Sequence, residues 1–158
     1  YGCIHCKNFD PEFDAWATQA AADVAVSRRP ATFSATWSML GQAYLTLEHT
    51  EAVDGHHQRL FNAIHNAGRR FTTGQDIANY LDSTELSASE FMRAFNSLSV
   101  RRRLTLATED TRRYQIASVP TLVVAGKYRV GMRNGTQRAL QVADWLIEQE
   151  RSRMAALQ

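Results

Sequence analysis

The stretch Tyr1-Gly2-Cys3-Ile4-His5-Cys6 (YGCIHC, residues 1–6) is the part of the sequence from which the fold can be inferred. Cys3 and Cys6 are the two cysteines of the 158-residue chain. A structural disulfide stabilises more when it closes a longer loop, and a bond between these two would close nearly the smallest useful ring. The C-x-x-C pair is therefore better explained by redox reactivity than by stabilisation of the fold.

A helix is predicted directly behind the first cysteine. Apolar residues recur at the spacing of one helix face, namely Phe9, Phe13, Trp16 and Ala20. We expect the helix to begin near Ile4 or His5. Pro11 lies inside it, removes one backbone donor and should bend the helix.

The position of Cys3 at the tip of this helix predicts a reactive thiolate. Free backbone N–H groups and the positive end of the helix dipole point at Cys3, and His5 adds a nearby donor or positive charge. A stabilised anion favours the reduced pair, so the disulfide should be donated readily to other proteins. We predict Cys3 as the sulfur that forms mixed disulfides and Cys6, one turn further on, as the resolving sulfur.

A C-x-x-C pair is also half of many zinc sites. The remaining ligands would have to come from four histidines, His49, His56, His57 and His65, whose spacing gives this alternative little support. Covalent haem would need a histidine directly after the second cysteine, where Lys7 stands. Redox chemistry is the preferred interpretation of the motif.

The rest of the chain divides into three parts. A short strand is predicted at Asp23–Arg29, and the pattern from about residue 36 to 115 is helical throughout. Pro120-Thr-Leu-Val-Val-Ala-Gly-Lys-Tyr-Arg-Val130 predicts a strand, a turn at Ala125–Gly126 and a second strand, followed by a last amphipathic helix. This order predicts an α/β fold made of residues 1–33 and 114–158, interrupted by an all-helical insertion at residues 34–113.

Pro120 stands immediately before a predicted strand. Proline cannot donate to a ladder, so it belongs at the start or edge of a strand. An ordinary trans proline fits this position, and so does a cis proline beside the dithiol. The residues alone leave both interpretations open, because cis forms are about 5–6% of X–Pro bonds in folded proteins.

CIHC opening a helix, Pro11 five residues after Cys6, and VPTLVVAGKY resemble the thioredoxin superfamily. The histidine in the motif and the helical insertion are similar to the DsbA-type thiol:disulfide oxidoreductases of the bacterial cell envelope. The resemblance implies a thioredoxin-like fold in which Cys3 is the nucleophile, His5 tunes it and Cys6 resolves. It also implies a cis Pro120 that faces the dithiol.

The same resemblance implies how substrates bind. The Val119 backbone would pair with an extended peptide by strand addition, and Ile4 is assigned with Val119 and Pro120 to the substrate-binding residues. Asp10 occupies the place of a buried acidic residue that assists proton transfer at the resolving cysteine. An ordinary helix acid before Pro11 is the alternative for Asp10.

Two features depart from the family pattern. The commonest dipeptide between the cysteines is Pro-His, and here it is Ile-His, so Ile4 adds an N–H and changes the turn. The family also places at least one β-strand before the motif, whereas this sequence has two residues before Cys3. We expect the sheet to lack that strand.

The predicted function is oxidation of substrate thiols by a Cys3–Cys6 disulfide, with no bound cofactor beyond that disulfide. The expected substrates are unfolded or reduced secreted proteins, and a quinone-linked membrane partner would reoxidise a monomeric, periplasmic enzyme. A net charge of +2 and a solvated Arg101–Arg103 run argue against nucleic acid. A disulfide isomerase or reductase on the same scaffold, or a redox-inert peptide-binding module, are the alternatives.

Overall fold

The computed structural model describes residues 1–157. Within this range seven helices and two strands follow one another: α1 (Ile4–Thr18), α2 (Ala35–His49), α3 (Val53–His65), α4 (Gly74–Leu81), α5 (Ala88–Phe95), α6 (Leu98–Arg113), β1 (Thr121–Val124), β2 (Tyr128–Gly131) and α7 (Thr136–Ala155). None of these helices has the length and apolar character needed to cross a bilayer.

The helices begin where side chains can satisfy their free N–H groups. Thr73 and Asp76 form a reciprocal capping box at the start of α4, and Ser87 and Glu90 form another at the start of α5. Hydrogen bonds from Thr72 and Thr73 lower the pKa of Asp76 to about 2. The short helices α4 and α5 are therefore fixed at their N-termini by local polar contacts.

Helices α2 to α5 share one apolar core. Its centre consists of fully buried side chains, among them Leu47, Leu60, Ile77, Leu81 and Phe91. A second apolar cluster lies between the β1–β2 hairpin and α7, and it is built from Val124, Val130, Ala139, Ala143 and Leu146. The division at residues 33/34 and 113/114 stays a prediction.

Strands β1 and β2 form an antiparallel hairpin in which Thr121 faces Gly131 and Val124 faces Tyr128. Ala125 and Gly126 form the turn, with φ of 51° and 66°. Two consecutive positive φ angles are typical of the tight turns whose twist matches that of the flanking strands. The predicted strand–turn–strand is therefore confirmed.

The strand predicted at Asp23–Arg29 is wrong. This segment, which we call the 23–29 segment, has no regular secondary structure. Its side chains alternate as in a strand, with Val24, Val26 and Arg28 half-buried and their neighbours exposed. Within residues 1–157 the hydrogen-bonded sheet consists of β1 and β2, so this backbone pairs with no strand.

Candidate active site

Cys3 is the N-cap residue of α1. Its backbone is extended (φ −112°, ψ 115°), and its Sγ accepts a hydrogen bond from the Cys6 backbone N–H at 3.3 Å. The first helical bond runs from the Lys7 N–H to the Cys3 carbonyl oxygen at 3.1 Å. The free N–H groups of the first turn therefore point toward the sulfur, as a capping side chain requires.

The loop before β1 lies against the same sulfur. The Val119–Pro120 peptide bond is cis. The Cys3 thiol donates to the Val119 carbonyl oxygen across 3.6 Å. Residues 116 positions apart in the chain thus meet at one sulfur atom, and Pro120 lines the same cavity as both cysteines.

Cys6 lies one turn further into the helix and is half-buried. Burial raises the pKa of the Cys6 thiol well above its usual range, and the hydrogen bond and negative charge at Cys3 and the charge of Asp10 act in the same direction. A raised pKa keeps this sulfur protonated in the dithiol state. Cys6 therefore needs a proton when it is released from a disulfide, and must lose one to attack.

The two residues between the cysteines face outward. Ile4 is 41% exposed, and His5 is exposed as well. Neither belongs to the lining of the cavity that contains Cys3 and Cys6. Ile4 therefore offers an apolar side chain at the surface beside Cys3, and the charge of a protonated His5 would be screened by solvent.

Asp10 is buried, with 6% of its surface exposed. Its carboxylate accepts from Arg28 Nη2 at 3.0 Å and from Gln58 Nε2 at 2.6 Å, and His57 Nε2 lies 3.1 Å from Oδ2. Burial acts to raise the pKa of Asp10, but His57 and Arg28 outweigh it, so this pKa lies below its ordinary value. Such a buried, multiply paired carboxylate differs from an ordinary surface acid of a helix.

Three residues of this network were missed by the sequence reasoning. Arg28 lies at an inward position of the 23–29 segment, and His57 and Gln58 lie on α3. The inward phase of Arg28 was readable from the alternation with Val24 and Val26. His57 was considered as a zinc ligand, and nothing local indicated that it would face Asp10.

A cavity of about 510 Å³ joins these groups. It brings together five of the predicted site residues, Cys3, Cys6, Asp10, Val119 and Pro120. Apolar side chains of the 23–29 segment, β1 and α7 complete its wall. Within residues 1–157, no three His, Cys, Asp or Glu side chains come together in a way that could hold a metal ion.

Comparisons with known protein families and with known sequences point to the same family. Residues 38–146 match the profile of the family described as DSBA-like thioredoxin domain. The "Thiol:disulfide interchange protein DsbA" of Azotobacter vinelandii is 40% identical over 154 residues, which cover 96% of this chain and 72% of that protein. The protein of the same name from Pseudomonas aeruginosa is 36% identical and matches over 96% of this chain and 73% of its own length.

Solved structures agree with the sequence comparison. The crystal structure of Pseudomonas aeruginosa DsbA superposes with a TM-score of 0.93 at 35% identity, and the match covers 100% of this chain and 82% of that one. The oxidoreductase DsbA from Xylella fastidiosa superposes with a TM-score of 0.89 at 28% identity, covering 96% and 82% of the two chains.

Proposed function

The chain belongs to the DSBA-like thioredoxin domain family and is a thiol–disulfide oxidoreductase, and we propose that Cys3 and Cys6 are its redox-active pair. The observation that supports this proposal is the set of contacts around Cys3 Sγ. Its sulfur caps α1, contacts the Val119 carbonyl beside the cis Pro120, and is followed one turn later by a sulfur with a raised pKa.

We propose that the pair works as an oxidant of protein thiols. A substrate thiolate attacks Cys3 Sγ, the Cys3–Cys6 bond breaks, and its electron pair goes to Cys6 Sγ, which takes up a proton. A second substrate thiol, deprotonated, then attacks the mixed disulfide and releases a substrate disulfide and the reduced enzyme. The helix N-terminus at Cys3 supports this direction, because it stabilises an anion there. His5 would add to that stabilisation.

The substrate side chain would reach Cys3 while its backbone lies along the loop before β1. Val119 offers main-chain hydrogen-bonding groups to an extended peptide, and Pro120 and the exposed Ile4 offer apolar contacts on either side of the sulfur. An extended strand suits unfolded or reduced secreted proteins. These proteins are the substrates that we propose.

Asp10 would take part in the protonation of Cys6. Its carboxylate is buried in the same cavity, and its charge contributes to the raised pKa of Cys6. The chemistry resides in the chain's own sulfur atoms, so the proposal includes no bound cofactor. An oxidising compartment such as the periplasm, a quinone-linked membrane protein as reoxidant and a monomeric state complete the proposal by analogy with the family.

Two cysteine variants test the assignment. We expect Cys3→Ser to lose all oxidation of a reduced, denatured substrate protein, because the attacked sulfur is gone. Cys6→Ser cannot form the internal disulfide. Once its Cys3 has been loaded as a mixed disulfide with 5-thio-2-nitrobenzoate, a substrate thiolate should displace that group and leave a mixed disulfide between Cys3 and the substrate, visible by mass spectrometry. Equilibration of the wild-type pair with glutathione separates an oxidant from a reductant.

The opposite pattern would contradict the assignment. If Cys6→Ser lost all reactivity and Cys3→Ser trapped the substrate, the roles of the two sulfurs would be reversed. If neither variant affected oxidation, the pair would not be the redox centre. Circular dichroism of both variants serves as the control for folding.

A further inference from the structure

The contact between α1 and α3 contains a histidine that the redox mechanism has not used. His57 is 7% exposed and lies between the Asp10 carboxylate and the Tyr1 hydroxyl. Its Nε2 is 3.1 Å from Asp10 Oδ2, and its Nδ1 is 2.8 Å from the Tyr1 hydroxyl oxygen. Tyr1, His57 and Asp10 thus form a chain of three proton-carrying groups, and all three line the cavity that contains Cys6.

The contacts fix which ring nitrogen carries a proton. The Asp10 carboxylate is ionised and can only accept, so Nε2 must carry a hydrogen to face it favourably. In the neutral ring Nδ1 is then bare, and the Tyr1 hydroxyl donates to it. The approach of Nε2 to Asp10 is an ion-pair contact rather than a well-aligned hydrogen bond, and catalytic contacts of this kind often tighten when a substrate binds.

The same contacts also accept the charged ring. When Nδ1 gains a proton, the Tyr1 hydroxyl can rotate and accept instead of donating, because a hydroxyl does both. Burial raises the pKa of Tyr1 well above its usual range, so its hydroxyl keeps its proton. The Nδ1 atom of His57 can therefore gain or lose a proton and keep the Tyr1 hydroxyl as its partner in both states, which avoids the cost of an unpaired buried nitrogen at that position.

The surroundings of the Asp10–His57 pair contain one fixed positive charge. The titratable and charged groups that face the pair are Cys6 of α1, Arg28 of the 23–29 segment, Tyr1, and Tyr44 of α2. His65 of α3 contacts the Tyr1 carbonyl oxygen instead. Arg28 binds Asp10 rather than His57. Burial raises the pKa of Tyr44, so it stays neutral. Histidine is the side chain among these whose protonation ordinarily changes near neutral pH.

We propose that His57 is a positioning residue that stores the proton delivered to Cys6 through Asp10. The inference rests on the proposed function, because it concerns the step in which the Cys3–Cys6 bond breaks. The electron pair of that bond goes to Cys6 Sγ, while the His57 imidazolium gives a proton to the Asp10 carboxylate, which passes a proton on to this sulfur. In this step the substrate thiolate, the Cys3–Cys6 disulfide and the His57 imidazolium are converted to a mixed disulfide between the substrate and Cys3, a Cys6 thiol and a neutral His57 imidazole.

The reverse sequence serves reoxidation. Cys6 thiol gives its proton to Asp10, the proton passes to His57, and the Cys6 thiolate attacks the mixed disulfide at Cys3. Asp10 has a pKa below its ordinary value, so it passes a proton on without retaining it. His57 comes from the predicted helical insertion and the cysteines come from α1, so the contact between α1 and α3 would carry part of the chemistry.

The test is the pH dependence of disulfide transfer from the oxidised enzyme to dithiothreitol, followed by stopped flow and divided by the thiolate fraction of the dithiol. In the wild type this corrected rate should fall about 10-fold as pH rises and the supply of protons from His57 is lost. His57→Gln should give a flat profile at the lower rate. His49→Gln, which changes an exposed histidine of α2, should keep the wild-type profile.

A wild-type measurement keeps the proposal testable if His57→Gln does not fold. Nitrogen-15 NMR of the histidine rings should show His57 neutral in the Nε2–H form above the inflection. The Nδ1–H form, or a His57→Gln profile that keeps the wild-type inflection, would overturn the proposal. Absence of any transfer to the dithiol by the wild type would instead remove the proposed function, so the two failures can be told apart.

Discussion

The two sulfur atoms of α1 lie one helical turn apart in different surroundings. Cys3 lies at the helix tip, and its partners are backbone groups, the Cys6 N–H and the Val119 carbonyl oxygen. Cys6 and the buried Asp10 carboxylate of the same helix, which we call the interior site, line a cavity whose other side chains come from distant parts of the sequence. One short helix thus places two chemically identical thiols in different surroundings. The surroundings of Cys6 depend more on the rest of the fold than those of Cys3.

The largest expected effect comes from breaking the interior site. Asp10→Ala removes the partner of Arg28, His57 and Gln58, and leaves charged and polar groups buried without compensation. We expect a loss of about 3–5 kcal/mol in the free energy of unfolding, as for other broken buried ion pairs. Denaturant unfolding measures it.

Asp14→Ala is the matched control for Asp10→Ala. Asp14 pairs with the same arginine, Arg28, but its side chain is 55% exposed. We expect it to cost about 1 kcal/mol or less. Equal losses in the two variants would show that burial does not distinguish these two carboxylates.

Proline substitutions sharpen the comparison at the helix tip. Lys7→Pro removes the N–H that bonds to the Cys3 carbonyl oxygen and should cost about 3 kcal/mol. Ile4→Pro changes the first helical residue, whose N–H is not needed by the helix ladder, and should change stability by about 1 kcal/mol or less. Thermal and denaturant unfolding check both, and equal losses would contradict the position of the helix start.

The pH dependence of stability probes the interior site without disrupting it. The pKa of Asp10 is lower in the folded protein than its ordinary value. Its stabilising contribution is therefore present above the unfolded pKa, near 3.9, and is lost as pH falls through the folded pKa. Asp10→Asn should show a smaller difference in unfolding free energy between neutral and acid pH than the wild type, and an unchanged difference would contradict this assignment.

The smallest expected effect is at the exposed tip. His5→Gln should change the free energy of unfolding by about 0.5 kcal/mol or less, because the side chain is exposed. At low salt we expect Cys3 to react with iodoacetamide up to about 3-fold more slowly, and the difference should vanish in 1 M salt, where the Debye length is about 3 Å. A difference that persists at high salt would mean that His5 acts by direct contact.

The comparison of Cys3 and Cys6 also explains which parts of the fold and of the site could be predicted from the sequence. The family and the α/β thioredoxin-like fold with a helical insertion are confirmed, because they depend on local signals such as CIHC at a helix start and the strand–turn–strand after Pro120. The buried network of Asp10 was only half foreseen. Its partners lie 18 to 48 positions away, and no local pattern specifies which distant side chains will meet.

The wrong strand at Asp23–Arg29 has the same origin. Alternating burial is typical of a strand, and this segment shows such alternation. A strand requires a second backbone to pair with, and that requirement is set by the whole fold. The alternation is present in the burial of Val24, Val26 and Arg28, but the strand pairing predicted from it is wrong.

The sulfur that closes the first turn of α1 has a consequence for motion. A thiolate sulfur is a much stronger hydrogen-bond acceptor than a neutral disulfide sulfur, so formation of a bond from Cys3 to Cys6 or to a substrate weakens the contact of the Cys3 anion with the Cys6 N–H. The beginning of the helix would then loosen and tighten once in each catalytic cycle. The rate of amide hydrogen exchange at the Cys6 N–H would therefore report whether Cys3 is free or bonded to another sulfur.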